Sequence, residues 1–285
     1  MIKLMAIDLD GTLYTTDKNI TENVKRSISK AMANGIQPVI ITGRSRRGAE
    51  EALIKLGINS PFVCAAGGLV CAGIVGTEIY AQPFHVHSEM LHLIDFCRRY
   101  GAGMLVETLP GKSYWFGSDA LLLEMDSLTA KEANRNIRTF EPEIDFDQPI
   151  LKATLTGSPE LLKAAAELIR NDCPSLDFVY SGVQYIDITD AGVNKGSAFL
   201  KLIEFLGFER SETAAIGDQE IDIPMLENSG LAIAMTNAVP ELKKVARWIA
   251  PDNDGDGVAW AIEKILMENS IGMKMSVPYP ANCLS

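Results

Sequence analysis

The most constraining feature of the sequence is a short apolar run, Leu4–Ile7, that ends in two carboxylates, Asp8 and Asp10. The run predicts a buried strand that passes into a loop, where Gly11 lets the chain turn sharply. Side chains two positions apart in an extended chain point the same way, so both carboxylates can face one point. Two acids at the end of a buried strand need a neutralising partner, and their hard oxygens favour Mg²⁺.

Strands and helices alternate through residues 1–81. Buried strands are predicted at Ile36–Ile41 and Phe62–Ala65, with a helix that Thr21 caps and another after Ser45. The alternation returns after residue 187 and continues through further strands and helices. This order predicts an α/β fold with a doubly wound, Rossmann-like parallel sheet, whose functional site lies at the carboxyl ends of the strands.

The segment between these two stretches has a different pattern, in which hairpins and single helices replace the regular alternation. We therefore expect an inserted α+β domain, residues 82–187, within a core made of residues 1–81 and 188–285. Inside the insert the pattern predicts a mixed helical region at Leu121–Asn136. The tail from Ile271 contains Pro and Gly and is expected to be loose.

Composition excludes several classes of function. The chain has 285 residues, with 26 Lys and Arg against 37 Asp and Glu, a net charge of −11. This charge disfavours nucleic acid, although a local positive pocket can still hold a phosphate. There is no apolar run near the ~20 residues of a membrane span, and no signal-peptide layout. The five cysteines form no CxxC pair, so we expect free thiols in a reducing cytoplasm. We also expect a monomer or small homo-oligomer.

Four short stretches resemble, in order, the motifs of the haloacid dehalogenase (HAD) superfamily. Asp8-Leu9-Asp10-Gly11-Thr12 resembles motif I, and Ile41-Thr42-Gly43-Arg44 resembles motif II. Asn194-Lys195-Gly196 resembles motif III, and the Gly217–Asp222 stretch resembles the GDxxxD of motif IV. The segment 82–187 looks like the large C2-type cap of the Cof-like (type IIB) branch. Each motif is weak alone, but four in order at predicted strand ends and helix starts are specific.

The resemblance implies a Mg²⁺-dependent phosphatase with an aspartyl-phosphate intermediate. Asp8 would be the nucleophile, and Asp10 would be the general acid and base. The metal would be held by Asp8, by the backbone carbonyl of Asp10, by Asp218 directly, and by Asp222 through water or by steadying the shell. Lys195 would neutralise both the phosphoryl group and the nucleophile.

The resemblance also assigns the phosphate contacts. The phosphoryl group would be bound by Leu9 in the motif I loop, by Thr42 and Gly43 of motif II, and by Lys195. The substrate would be a small phosphorylated metabolite, either a sugar phosphate or a phosphorylated cofactor, chosen by the cap. The candidate lining residues on the cap are Tyr114, Trp115 and His85.

Two positions depart from the family pattern and keep alternatives open. Ala66-Gly67 stands where Cof-like proteins usually carry Asn-Gly, and Ile221 stands where an Asn often precedes the last Asp of motif IV. A phosphotransferase or mutase of the same superfamily is therefore one alternative. A non-catalytic HAD-like ligand-binding protein is another. A receiver-like signalling protein is disfavoured, since a receiver needs no acid at the position of Asp10.

The stretch Asp252–Gly257, with Glu263 at the twelfth position, fits the spacing of an EF-hand calcium loop. The surrounding pattern does not fit, because Trp248–Pro251 predicts a strand and a stop instead of an entering helix. Ala259 also stands where a branched apolar residue is usual. We therefore expect a polar loop that caps the final helix rather than a calcium site.

Overall fold

The computed structural model describes residues 1–109, 111–124, 138–139 and 148–271. Its strands form two sheets, one of eight strands and one of six. The predictions for the helical region after Glu124, for the tail after Ile271 and for the Cys283 thiol lie outside these residues. The other four cysteines are buried free thiols.

The eight-stranded sheet carries the predicted core. Its strands are β1 (Leu4–Ile7), β2 (Gln37–Ile41), β3 (Phe62–Cys64), β4 (Leu69–Cys71), β5 (Glu78–Ala81), β12 (Thr213–Gly217), β13 (Leu231–Met235) and β14 (Trp248–Ala250). The order is β14-β13-β12-β1-β2-β3-β4-β5. Pairs from β14 to β3 are parallel, whereas β4 and β5 are antiparallel additions at one edge. The predicted parallel α/β core is confirmed, and the two edge strands were not predicted.

The six-stranded sheet lies in the predicted insert. Its strands are β6 (Gly103–Thr108), β7 (Lys112–Phe116), β8 (Arg138–Thr139), β9 (Ile150–Thr156), β10 (Leu176–Gly182) and β11 (Tyr185–Asp190). The order is β10-β11-β9-β6-β7-β8, and every pair is antiparallel except β7 with β8. The hairpin predicted around Ser181-Gly182 is therefore present.

The described residues form nine α-helices, several of which begin at a polar side chain that accepts from their first amide groups. They are α1 (Glu22–Ala33), α2 (Arg46–Leu56), α3 (His87–Tyr100), α4 (Asp119–Glu124), α5 (Pro159–Asp172), α6 (Lys195–Leu206), α7 (Ile223–Glu227), α8 (Pro240–Val245) and α9 (Gly257–Ser270). Thr21 accepts from the amide of Val24 at the start of α1, and Asn194 accepts from the amides of Gly196 and Ser197 at the start of α6. These caps fix where the helices begin relative to the strand ends.

Each sheet is packed in its own hydrophobic cluster. The larger cluster joins β1, β2 and β12 to α1, α6 and α9. The second cluster joins one face of β6, β9 and β11 to α3 and α5. Because side chains alternate across a strand, the polar residues Glu107, Lys152, Thr154 and Asp187 fall on the opposite face of that sheet. Two separate clusters support the division at residues 82 and 187, which remains a prediction.

Candidate active site

The site begins at the carboxyl end of β1, the strand between β12 and β2. Asp8 follows it directly and is 4% exposed. The chain then turns at Gly11, whose φ of +75° favours glycine. A Cβ on Gly11 would lie 2.3 Å from Oδ2 of Asp218. Any other residue at this position would therefore clash with the loop after β12, which approaches the motif I turn here.

Lys195 joins carboxylates that are far apart in the sequence. It is the first residue of α6, where the Asn194 cap fixes the helix start, and it is 1% exposed. Its Nζ lies 2.6 Å from Oδ1 of Asp8 and 2.6 Å from Oδ1 of Asp222. The structure therefore brings together the residues that were predicted from motifs I, III and IV.

The loop after β12 holds the remaining acid. Oδ2 of Asp222 accepts from the amides of Asp218 and Gln219 at 3.0 and 3.1 Å, which closes the loop on itself. Oδ1 of Asp218 accepts from the hydroxyl of Thr12 at 3.1 Å. Asp222 thus braces the loop with Oδ2 while its Oδ1 contacts Lys195, and Asp218 is positioned against the motif I turn.

The carboxylates of Asp8, Asp218 and Asp222 form a buried acidic cluster. Each offers one oxygen, and these atoms lie within 4.8 Å of one another. Burial and the charge of Asp222 raise the pKa of Asp8 well above its usual range and that of Asp218 to about 6. The ammonium of Lys195 contacts two of them, Asp8 and Asp222. The hard oxygen donors and the excess of negative charge fit a divalent cation of the Mg²⁺ kind.

Asp10 is held by two basic side chains outside this cluster. Its Oδ2 lies 2.6 Å from Nε of Arg44, and its Oδ1 lies 2.9 Å from Nζ of Lys18. Burial alone raises the pKa of Asp10, but the hydrogen bonds from Arg44 and Lys18 outweigh it and hold the pKa at about 2. Asp10 is therefore held as a carboxylate, the form that accepts a proton. Its predicted roles as general acid and as a metal ligand remain predictions.

The motif II residues follow β2 and face the same cavity. Thr42 is 1% exposed, and its Oγ1 accepts from the amide of Arg44 at 3.1 Å. The carbonyl of Gly43 accepts from Nζ of Lys152 at 2.6 Å, a contact from the six-stranded sheet. Leu9 is buried, so only its backbone can serve the predicted phosphate contact.

A cavity of about 1000 Å³ lies above these residues, between the two sheets. Tyr114 and Ile221 line it, as do all the predicted site residues except Leu9. Trp115 instead packs with Leu105 and Leu122 in a small cluster, and His85 pairs with Asp190 outside the cavity. Of the three cap residues proposed from the sequence, the cavity lining therefore includes only Tyr114.

Comparisons with known proteins agree with this geometry. A profile of the haloacid dehalogenase-like hydrolase family matches residues 5–262. The chain belongs to this family. A protein of Streptococcus pyogenes serotype M6 is 33% identical over 267 residues, which cover 92% of this chain and 98% of that protein.

A second relative and a solved structure refine the placement. The 5-amino-6-(5-phospho-D-ribitylamino)uracil phosphatase YcsE of Bacillus subtilis is 29% identical over 264 residues, covering 92% of this chain and 94% of YcsE. The solved HAD subclass IIB sugar phosphatase BT4131 matches the fold with a TM-score of 0.82 at 20% identity, covering 93% of this chain and 99% of that one. The resemblance to Cof-like HAD hydrolases is thus confirmed by the family profile, the solved structure shows the same fold, and the protein is a HAD-family phosphatase.

The loop that replaces the usual Asn-Gly of this family is unusual in its backbone. Ala65 and Ala66 both have positive φ, +50° and +54°. The amide of Ala65 donates to the carbonyl of Arg44, and the amide of Ala66 donates to that of Thr42. The backbone of this HAD loop therefore supports motif II without an Asn side chain.

The sequence analysis did not predict that one face of the six-stranded sheet forms a polar wall of the cavity. Lys152 and Thr154 on β9, Glu107 on β6 and Asp187 on β11 all line the cavity. A signal was present, because Lys152 and Thr154 interrupt the otherwise apolar strand Ile150–Leu155 at alternate positions. Polar residues on one face of a central strand indicate a face that is not packed in the core.

The EF-hand-like loop has a structural role in this protein. Asp254 accepts from the amide and hydroxyl of Thr16, and Asp256 accepts from the side chains of Thr21 and Asn23. These carboxylates fasten the segment between β1 and α1 to the start of α9. The loop precedes α9 as expected, but the predicted capping is wrong in detail, because Asp256 directs its oxygens to Thr21 and Asn23 and makes no side-chain hydrogen bond to the first turn of α9. Among the described residues the acidic metal-type cluster lies at Asp8 instead. Within the described part of the chain no helix is long and apolar enough to cross a bilayer.

Proposed function

We propose that this HAD phosphatase is Mg²⁺-dependent and hydrolyses a small phosphorylated metabolite through phosphorylated Asp8. The observation that carries the proposal is the position of Asp8: it ends a central buried strand, Lys195 holds it at 2.6 Å, and it opens into a cavity. A buried carboxylate next to one ammonium and two further acids is suited to phosphoryl transfer, where positioning and charge neutralisation supply most of the rate.

The metal would be held by Asp8, Asp218 and the backbone carbonyl of Asp10, with Asp222 bracing the Asp218 loop. Bound Mg²⁺ supplies the positive charge that offsets repulsion between a carboxylate and a phosphate dianion. The ammonium of Lys195 pairs with Asp8 and Asp222 and does not balance a cluster of three buried carboxylates, and this excess of negative charge supports the assignment.

The first half-reaction transfers the phosphoryl group to Asp8. Because Lys195 holds Oδ1 of Asp8, we assign the attack on phosphorus to Oδ2. The ester P–O bond breaks, and the leaving alcohol takes the proton that Asp10 received from water in the previous turnover, so this step requires Asp10 in its protonated form, with its pairs to Arg44 and Lys18 loosened. The Thr42 hydroxyl, the amides of the motif I turn and Lys195 neutralise the phosphoryl oxygens.

The second half-reaction restores the nucleophile. Water attacks the phosphorus of the aspartyl-phosphate and gives its proton to Asp10, and the bond between Asp8 and phosphorus breaks. Inorganic phosphate leaves, and Asp8 returns as a carboxylate. Arg44 and Lys18 hold Asp10 ionised in the structure described, which is the form needed for this second step.

The cavity supports a polar, anionic substrate of modest size. Although the chain has a net charge of −11, the lining has equal numbers of basic and acidic side chains. The basic ones are Lys18, Arg44, Arg47, Lys112, Lys152 and Lys195. YcsE acts on a phosphorylated ribitylamino-uracil. We therefore assign the substrate class to sugar phosphates, sugar-alcohol phosphates or phosphorylated cofactors, selected by residues 82–187 acting as a cap.

The proposal is tested by phosphate release from a panel of sugar phosphates, ribityl phosphates, nucleotides, pyridoxal phosphate and an aryl phosphate, each with Mg²⁺ and with EDTA. We expect release from one compound class that EDTA abolishes. Asp8→Asn should remove it, and Asp254→Asn, a matched change outside the cavity, should keep it. Release that is unchanged in Asp8→Asn would contradict the proposal.

The phosphotransferase alternative is favoured by one observation, the size of the cavity. A volume of about 1000 Å³ is at the upper end of small-ligand sites and leaves room for an acceptor beside the substrate. Adding acceptor sugars to the same assays separates the two activities. Phosphorylated acceptor in place of free phosphate would identify a transferase, whereas free phosphate at an unchanged rate supports the phosphatase.

A further inference from the structure

We propose that Lys152 is a positioning residue that couples closure of the cap to the phosphate-binding loop through the carbonyl of Gly43. Here the cap is residues 82–187. The inference rests on the proposed function of the site and extends it to a residue that the motifs do not include. It is argued from the contacts that Lys152 makes on either side of the cavity.

On the cap side, carboxylates from the two strands next to β9 hold the ammonium of Lys152. Its Nζ lies 3.3 Å from Oδ1 of Asp187 on β11 and 3.9 Å from Oε2 of Glu107 on β6. The hydroxyl of Thr154 donates to the same Asp187 oxygen at 2.7 Å. Burial alone lowers the pKa of Lys152, but the charges of Asp187 and Glu107 outweigh it, and the pKa lies above its usual range. The position of this charge is thus set by the cap sheet.

On the core side, the ammonium reaches the loop after β2. Nζ of Lys152 donates to the carbonyl of Gly43 at 2.6 Å. The cap also packs closely on the core beside this contact. A Cβ on Gly68 would lie only 2.8 Å from the carbonyl of Leu151 on β9. A charged hydrogen bond between buried groups is stronger than a neutral one. The contact therefore exists only when β9 lies against the core.

The Gly43 carbonyl belongs to the peptide whose amide is that of Arg44. That amide donates to Oγ1 of Thr42 at 3.1 Å. One peptide therefore accepts from the cap at one end and donates to the Thr42 hydroxyl at the other. An oxygen that accepts a hydrogen bond turns its own proton elsewhere, so the Thr42 proton is directed to another acceptor. In the proposed reaction that acceptor is a phosphoryl oxygen.

The consequence is a site that is complete only when the cap is closed. With β9 in place, Lys152 fixes the Gly43–Arg44 peptide, and the peptide orients Thr42. With β9 withdrawn, the Gly43 carbonyl loses its partner and the peptide is free to rotate. Every substrate presents the same phosphoryl group to this loop, so the effect is independent of the leaving alcohol.

The test begins with Lys152→Met, which keeps the methylene stem and removes the ammonium. We expect kcat/KM to fall on the order of 10²-fold, as for other misplaced groups near the chemistry. The fall should be the same for every active compound of the panel, with the rank order kept. A changed rank order would mean that Lys152 reads the leaving group, and would overturn the proposal.

A double-mutant cycle with Thr42→Val tests whether Lys152 acts through the Thr42 hydroxyl. If Lys152 acts through the Thr42 hydroxyl, Lys152→Met adds little further loss once that hydroxyl is absent. If the fold-losses in kcat/KM of the two single variants multiply in the double variant, the proposal is overturned. Lys152→Met also leaves two buried carboxylates without their ammonium, which destabilises the cap.

Leu162→Ala is the matched control for that loss of stability. It removes a buried side chain of α5 from the cap cluster, away from the cavity. It should leave kcat/KM near wild type at temperatures where the protein is folded. Equal losses in Leu162→Ala and Lys152→Met would show that cap stability alone matters, and would overturn the proposal.

A binding measurement separates this proposal from the proposed function. If the wild type releases no phosphate from any compound, the proposed function fails, and calorimetric titration with inorganic phosphate in Mg²⁺ then tests the coupling. We expect weaker phosphate binding in Lys152→Met than in Leu162→Ala, and equal binding would overturn the inference. If Lys152→Met does not fold, Lys152→Gln replaces it with the same expectations, since the amide still offers donors to the carboxylates.

Discussion

Three buried carboxylates share one lysine at the centre of this site. Asp8, Asp218 and Asp222 lie with Lys195 in a region that excludes most water. Carboxylates placed in this way oppose folding unless a cation joins them, because desolvation and mutual repulsion both disfavour the charged form. The carboxylates that make the site suitable for phosphoryl transfer therefore lower the stability of the metal-free protein.

The pH dependence of stability follows from Asp218. Its pKa is raised on folding from 3.8 to about 6, so its contribution is fully present below pH 3.8 and lost as the pH rises through about 6. The slope is at most about 1.4 kcal/mol per pH unit for one proton. We expect the free energy of unfolding of the protein in EDTA, relative to Asp218→Asn, to fall across this range.

Urea unfolding at a series of pH values measures this difference, and saturating Mg²⁺ should flatten it, since a bound cation holds the carboxylates ionised. Asp10 acts in the opposite direction and at lower pH, because its pKa is lowered to about 2. Comparison with Asp218→Asn removes that contribution. A difference in EDTA that rises with pH, or that does not change, would contradict the electrostatic account of the site.

The acidic loop before α9 acts at the scale of elements by fastening the segment that follows β1. Asp256→Ala removes the acceptors for Thr21 and Asn23, and we expect it to lower the free energy of unfolding by about 1–2 kcal/mol. Thermal or urea unfolding checks this, with Asp252→Ala as a control that changes the same loop but not these contacts.

The same loop should not bind calcium, since its carboxylates are engaged by the β1–α1 segment. Calorimetric titration of the Mg²⁺-saturated protein with Ca²⁺ should give no heat at millimolar concentrations. A stoichiometric heat that Asp254→Ala abolishes would show instead that the loop opens to hold the ion.

What the sequence could predict differs between these elements. The strands that end in Asp8, Thr42 and Asp218 were predictable because apolar runs followed by polar residues report on local structure. The wall formed by Glu107, Lys152 and Asp187 could not be predicted, because the register between strands of the six-stranded sheet depends on long-range pairing. The Asp10 pair with Arg44 was missed for a similar reason, since only the fold brings motif II beside motif I.

For the whole molecule, the two crossovers between the sheets meet at one carboxylate. Asp190, at the end of β11, accepts from the amide of His85 and from Nε2 of Gln82, both at 3.1 Å. This carboxylate connects the segment that precedes α3 to the end of β11.

Asp190→Asn should weaken this connection. The variant keeps the size of the side chain but removes the charge, and we expect the crossovers to lose about 1–3 kcal/mol of local stability. Hydrogen exchange at residues 82–86 and 188–192 should become faster, with the strands of the eight-stranded sheet unchanged. Asp95→Asn, on α3, is the matched control, because its partner Arg99 lies outside both segments. Unaltered exchange at the crossovers would contradict a role for Asp190 in holding them.

The central claim, that Asp8 carries the phosphoryl group, is tested most directly by rapid-quench mass spectrometry of the intact protein during turnover. With an active substrate from the panel and Mg²⁺, we expect a transient gain of one phosphoryl group that peptide mapping places on Asp8 and that Asp8→Asn lacks. Rapid phosphate release with no phosphorylated protein at any time, in an enzyme that Asp8→Asn leaves active, would contradict the account.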